Sequence, residues 1–151
     1  MQTDVATAKQ DIIDRTNALR CENGVAALRV NDRLMQAAQV RADEMAASGV
    51  YSHTRPDGRK YTTVTDCKYI GENIHLIGEW QIRDSSLPSF AVEAWKNSAA
   101  HLKNMLNTRY HEIGVGVSKG TVMDEPYWYC VQLFLLDGYN VTWVDAPAAK
   151  G

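Results

Sequence analysis

The chain has no excess of basic residues. Its 16 Lys and Arg stand against 18 Asp and Glu, for a formal net charge of -2 and a pI near 6.1, and no basic block occurs. Duplex nucleic acid is therefore a poor partner, because phosphate neutralisation drives such binding. Long apolar runs are also missing, so no segment has the roughly 20 residues of a membrane span. Residues Met1 to Val5 lack the charged-then-apolar pattern of a secretory signal. Two readings follow, a cytosolic protein or one in which Met1 replaces a removed signal. Cysteine is sparse: Cys21, Cys67 and Cys130, with no C-x-x-C pair, so a zinc ribbon or dithiol redox motif is not supported. Three cysteines allow at most one internal bridge. Cys67 and Cys130 both lie beside predicted strands and Cys21 near a helix end, which favours Cys67 with Cys130. Three free thiols, behaving as small core residues, are the alternative. The G-x-S-x-G and H-E-x-x-H signatures and a phosphate-cradling glycine loop are absent. Ser98 and His101 lie close in sequence, but no orienting carboxylate stands at recognisable spacing for a serine hydrolase.

What is present fits one domain over residues 1–151. The 45% hydrophobic and 23% charged fractions are those of a folded globular chain, and a chain this long buries roughly 70% of its unfolded surface. Val5, Ala8, Ile12, Thr16 and Leu19 recur at helical spacing, with Gly24 placed to end that helix. Asn31 or Asp32 caps a second helix carrying Leu34, Ala38, Arg41 or Ala42, and Met45 on one side, closed by Gly49. A polar loop follows from Ser52 to Arg59, with a turn at Pro56-Asp57-Gly58. Ile70 to Ile77 reads as a strand. Ser85 or Ser86 opens a third helix at Leu87-Pro88, and a short fourth covers Ala99 to Leu106. Ile113, Val115 and Val117 alternate with Gly114 and Gly116, giving a strand with one bare face. Tyr127 to Leu136 is the strongest strand pattern, pairing with 113–117 through a long loop. The stretch 141–151 adds an edge segment and a loose tail. Helices first and strands later argue for α+β, a three-layer α-β-α sandwich around a mainly antiparallel sheet.

His53, in the loop, and His101, opening the fourth helix, carry imidazoles suited to metal ligation or proton transfer. The helix dipole at His101 favours its neutral form. Glu72 opens an apolar strand between Gly71 and Asn73. If it is inside, a histidine or a metal must neighbour it, because an unpaired buried carboxylate is very costly. His75 lies three positions from Glu72, so the strand turns it to the opposite face. His75, His111 and Glu112 read as structural or solvated. Trp95 and Tyr127-Trp128-Tyr129 read as core and sheet packing.

These motifs in order are Ser52-His53, Gly71-Glu-Asn-Ile74, Trp95-Lys-Asn-Ser98 with His101 and Asn104, Ile113-Gly-Val-Gly116, and Tyr127-Trp128 with Gln132 and Phe134. Together they resemble the CAP superfamily of cysteine-rich secretory, antigen 5 and pathogenesis-related proteins, its bacterial secreted branch above all, over about 11–134. The resemblance implies an α-β-α sandwich and an extracellular location. It also implies a shallow cleft of two histidines and two acids that in some members holds zinc. By position these are His53, His101 and Glu72, with Ser98 where the second acid is expected. A set of His53, Glu72 and His101 could still hold a divalent metal, with water as fourth ligand. Glu112 is a speculative substitute for the missing acid. Abundant disulfides, the family's other mark, are thin here. The function expected is a secreted, non-enzymatic binding or effector module for a small apolar ligand, a peptide or a cell-surface partner. The alternatives are a zinc-dependent hydrolase in the same cleft, with Glu72 as base, or an envelope- or spore-associated structural module.

Overall fold

The computed structural model describes residues 4–82 and 85–146. Helix α1 (Val5–Glu22) begins where the Asp4 side chain accepts from the backbone N–H of Ala6 and Thr7, as an N-cap does. A two-residue strand β1 (Arg29–Val30) leads into α2 (Asp32–Ser48), capped by Asn31 and closed by Gly49 at a left-handed φ of 74°. A single 3-10 turn covers Tyr61–Val64. Then come β2 (Ile70–Gly78), α3 (Glu79–Ile82), α4 (Leu87–Lys96, capped by Ser86), α5 (Ala99–Met105), β3 (Tyr110–Val122) and β4 (Glu125–Leu136).

The strands form one sheet in the order β1-β3-β4-β2. β2 and β3 both run antiparallel to β4, while β1 pairs parallel with β3, so the sheet is mixed. The β1 pair was not anticipated, because two residues carry no period. The expected long loop between β3 and β4 is instead a two-residue turn. Val122 pairs with Glu125, and Met123 and Asp124 both take positive φ (50° and 67°), the backbone of a tight hairpin turn. The strand signal faded after Val117 because the outer end of β3 is partly solvated.

Helices pack on both faces. One layer sets Ile12, Trp95 and Leu87 from α1 and α4 against Ile113, Val115 and Phe134. The other sets Leu34, Ala38 and Met45 from α2 against Val131, Leu133 and Ile74. The bare side of β3 faces α2: a Cβ on Gly114 would collide with the backbone of Leu34, and one on Gly116 with the backbone carbonyl of Ala38. Alanines on the helix and glycines on the strand thus let the two backbones touch.

The favoured Cys67–Cys130 bridge is not formed; all three cysteines are free. Cys130 packs in the α1/α4 layer and Cys67 in the α2 layer, so the sheet lies between them. Burial pushes the Cys130 thiol up to about 12. Downstream of β4, Val144 makes an isolated bridge to Thr65, outside the four strands, and Val141 is buried. The tail expected over 147–151 lies outside the described residues.

Candidate functional site

The alternation of β2 sends neighbouring residues to opposite faces. Glu72 points toward α2 and Asn73 toward α1 and α5, and both are buried. Glu72 does not stand alone. Arg41, on the buried stripe of α2, donates from Nε (2.7 Å) and Nη2 (3.0 Å) to its two carboxylate oxygens. His53 Nδ1 lies 2.8 Å from Oε1. The same guanidinium donates to the carbonyl of Ser52 at 2.6 Å, so one arginine fixes both the carboxylate and the loop that presents His53. Burial pulls the Arg41 pKa down, but hydrogen bonds and Coulombic attraction from Glu72, then Glu44, outweigh it, and the net shift is upward.

Arg41 was the residue that sequence reasoning passed over. Its signal was visible: a charged side chain on the apolar stripe of an alanine-rich helix demands a buried counter-charge.

On the other face, Asn73 donates to Gln132 Oε1 (3.0 Å) and to the carbonyl of His101 (3.1 Å). Gln132 donates to the Thr16 hydroxyl (2.7 Å), and Asn104 donates to Asn73 Oδ1 (3.0 Å). This amide network ties α1, β4, β2 and α5 together and sets the position of His101. Ser98 is the N-cap residue of α5 but makes no side-chain cap bond. Its hydroxyl lies 2.8 Å from His101 Nδ1 instead.

Both histidines are thus held at Nδ1, and Nε2 of each makes no hydrogen bond among the described residues. His53 is 55% exposed at its side chain, and His101 is half-buried. They are near enough to interact. Burial, then the charge of His53, lowers the His101 pKa. Burial, then the charge of His101, lowers that of His75. His75 sits on the face opposite Glu72, as the strand period predicted, against the Phe90 ring. Tyr61 lies beside His53, with ring centroids 5.9 Å apart. Burial, then the charge of Glu72, pushes its phenol up to about 12.

The set of His53, Glu72 and His101 as three metal ligands does not fit this arrangement. Both Glu72 oxygens already face donors, and no cluster of three or more His, Cys, Asp or Glu side chains able to hold a metal occurs among the described residues. Two imidazole nitrogens remain, where a catalytic zinc takes three protein ligands. Glu112 does not replace the missing acid. It bonds Asn31 and Arg29 at the β1 edge, with β4 between it and β2. His111 lies 3.7 Å from Asp137, solvated.

The α-β-α sandwich, with the ordered motifs set along its strands and helix starts, defines a class of secretory-protein domains. The chain belongs to the CAP family, the cysteine-rich secretory protein family, which it matches over residues 13–134. It is 28% identical over 125 residues to "Uncharacterized protein YkwD" of Bacillus subtilis, covering 82% of this chain and 48% of that protein. It is 30% identical over 121 residues to "Uncharacterized membrane protein YlbC" of the same organism, covering 75% of this chain and 32% of that protein. The chain therefore spans half or less of the length of these curated relatives. Among solved structures, it resembles an extracellular SCP-domain protein of Bacillus anthracis (TM-score 0.66, 24% identity, 88% of this chain and 41% of that one). It also resembles an outer surface protein of Borrelia burgdorferi (TM-score 0.65, 17% identity, 91% of this chain and 98% of that one). No helix among the described residues is long and apolar enough to cross a membrane.

Proposed function

We propose that this chain is a secreted, non-enzymatic binding domain whose histidine cleft receives a small apolar molecule, a peptide or a cell-surface partner. The observation that carries the reading is the engagement of Glu72. A hydrolase in this cleft needs a carboxylate free to take a proton from water. Glu72 is bonded by Arg41 and His53 instead, and the position of the second acid holds Ser98. What the cleft offers a ligand is the outer edges of two imidazoles, each pre-set by its Nδ1 bond, beside the Tyr61 ring. Rigid, pre-oriented contact groups favour binding because little order is lost when a ligand arrives. The extracellular and outer-surface neighbours support a location outside the cell.

The purified protein, incubated with fluorogenic ester and peptide panels with and without chelator, should give no turnover above buffer. Organic extraction followed by mass spectrometry should recover a bound small molecule, or backbone amide shifts on addition of a peptide or cell-surface extract should map to His53, Tyr61 and His101. Chelator-sensitive hydrolysis that disappears in His53→Ala and His101→Ala would sink the reading in favour of a metal-dependent hydrolase.

A further inference from the structure

A concave surface lies along α2, and its lining includes none of His53, Glu72 and His101. It is a groove of about 780 Å³ between α2, the loop at 55–59 and the segment at 145–146. That volume is in the range of real ligand sites, which are roughly 300–1,000 Å³. Its walls are apolar and small: Val40 and Ala47 from the helix, Pro56 from the loop and Ala146 from the C-terminal segment.

Its floor is charged and rigid. Arg55, nearly buried, grips Glu44 through two hydrogen bonds (2.9 and 3.1 Å) and Asp145 at 2.8 Å. Arg59 reaches the same Asp145 (2.8 Å) and also Asp57 (2.7 Å). Bidentate arginine–carboxylate pairs of this kind fix geometry as well as charge. The charges do not balance, however. Asp43, Glu44, Asp57 and Asp145 line the groove against only Arg55 and Arg59, a formal surplus of two negative charges. Asp43 has no cationic partner among the described residues; its bond is from the Gln39 amide at 2.8 Å. Hydrogen bonds from Arg59 hold the carboxyl of Asp57 below the usual range, and those from Arg59 and then Arg55 do the same for Asp145.

The geometry points to a docking site for a basic peptide, one that lays a lysine or arginine stem along Val40, Ala47 and Pro56 and sets its charged head beside Asp43, which has no cationic partner among the described residues. Long cationic side chains are suited to such a surface, since the stem covers apolar wall while the head stays with charge or water. An acidic or phosphorylated partner meets like charge here. A bare cation finds most of the carboxylates already bonded to arginine, and the groove is larger than a single side chain needs, which leaves room for flanking backbone. The inference does not depend on the proposed use of the histidine cleft.

The probe is the peptide acetyl-Ala-Lys-Ala-Arg-Ala-amide, titrated into the ¹⁵N-labelled full chain, with the same peptide carrying glutamine at both basic positions as control. Amide shifts should centre on Asp43, Ala47, Asp57 and Ala146, and the control should move none of them. Asp43→Lys, an exposed helix position, should weaken binding about tenfold by charge reversal. Ala47→Trp, also exposed, should block the groove by bulk without altering its charge. High salt should weaken binding severalfold, as for exposed charges. Lys150→Ala should leave the affinity within about twofold of the parent, the change expected when a charge takes no part in the contact. Shifts elsewhere, equal binding of the control peptide or of spermidine, or indifference to both Asp43→Lys and Ala47→Trp would overturn the assignment. A gain of about tenfold in Lys150→Ala would also overturn it, by giving the groove to this chain's own C-terminal segment.

Discussion

Glu72 and Asn73 are neighbours on β2, yet they anchor two unlike polar clusters on opposite faces of one sheet. The Glu72 face is ionic. Arg41 joins it to Glu44, Glu44 joins Arg55, and Arg55 joins Asp145. The Asn73 face is neutral, built from the amides of Asn73, Gln132 and Asn104 and the Thr16 hydroxyl. Each cluster positions one histidine: the ionic one holds His53 through its ring, and the amide one holds His101 through its backbone carbonyl. The two histidines are therefore supported by different physics. Charge gives strong, orienting contacts but leaves a heavy penalty when one partner is lost. Neutral amides give weaker bonds with a smaller penalty.

The largest expected effect comes from breaking the ionic side. Arg41→Ala leaves the Glu72 carboxylate buried without its guanidinium, and Glu72→Ala does the reverse. Each should cost about 3–5 kcal/mol in urea or guanidinium denaturation. The double variant Arg41→Met/Glu72→Leu should recover most of that loss, since two apolar groups of similar bulk need no partner. Recovery would locate the penalty in the stranded charge. A double variant as unstable as the singles would show instead that the pair itself supplies net stability.

Asn73→Ala tests the neutral side. It removes the bonds to Gln132, Asn104 and the His101 carbonyl. Gln132 Oε1 is left stranded, while the His101 carbonyl stays within helix α5, and the change should cost about 1–3 kcal/mol. A loss equal to that of Arg41→Ala would erase the contrast between the two faces.

Much of this architecture was legible beforehand. The stripe of α1, the Asn31 and Gly49 boundaries of α2 and the Ser86 start of α4 are local signals, set by side chains within a few residues of each other. The alternation of glycines in β3 foretold a close neighbour, and α2 is that neighbour. What could not be read has a common cause. The β1–β3 pairing, the two-residue turn at Met123-Asp124 and the separation of Cys67 from Cys130 by the sheet all depend on partners distant in sequence. The requirement that a buried Glu72 have a histidine or metal neighbour named no residue, and it was the family resemblance that grouped His53 with it. The second neighbour, Arg41, sits on an apolar helical stripe, and its role depends on a carboxylate 31 residues away on β2.

Ser98→Ala should have a smaller effect. The serine occupies an N-cap position without making a cap bond, so the usual loss of roughly 1 kcal/mol for removing a cap does not apply. What changes is the His101 ring, which loses its Nδ1 partner. Two-dimensional ¹⁵N spectra of the imidazole should show a mixture of tautomers in place of one, with denaturation midpoints nearly unchanged. A single unaltered tautomer would mean that something other than Ser98 orients the ring.

The subtlest difference between the faces is in their pH windows. His101 and His75, on the amide side, both have lowered pKa values in the folded protein, mainly through burial. The unfolded chain takes up those protons near pH ~6.5, and the folded chain does so only at lower pH. Between those points the unfolded state holds more protons, so their contribution to stability is full above about pH 6.5 and declines as the pH falls through the folded values. On the ionic side the carboxyl of Asp145 is also lowered, by hydrogen bonds from Arg59 and then Arg55. Its contribution is full above the unfolded value of about 3.9 and disappears only as the pH falls further. Denaturation midpoints should therefore fall in two stages, the first beginning as the pH drops below about 6.5 and the second below about pH 4. His75→Asn together with His101→Asn should flatten the first stage and spare the second, whereas Asp145→Asn should do the opposite. If either substitution flattened both stages, the two faces would titrate as one unit and their separate support of His53 and His101 would not hold.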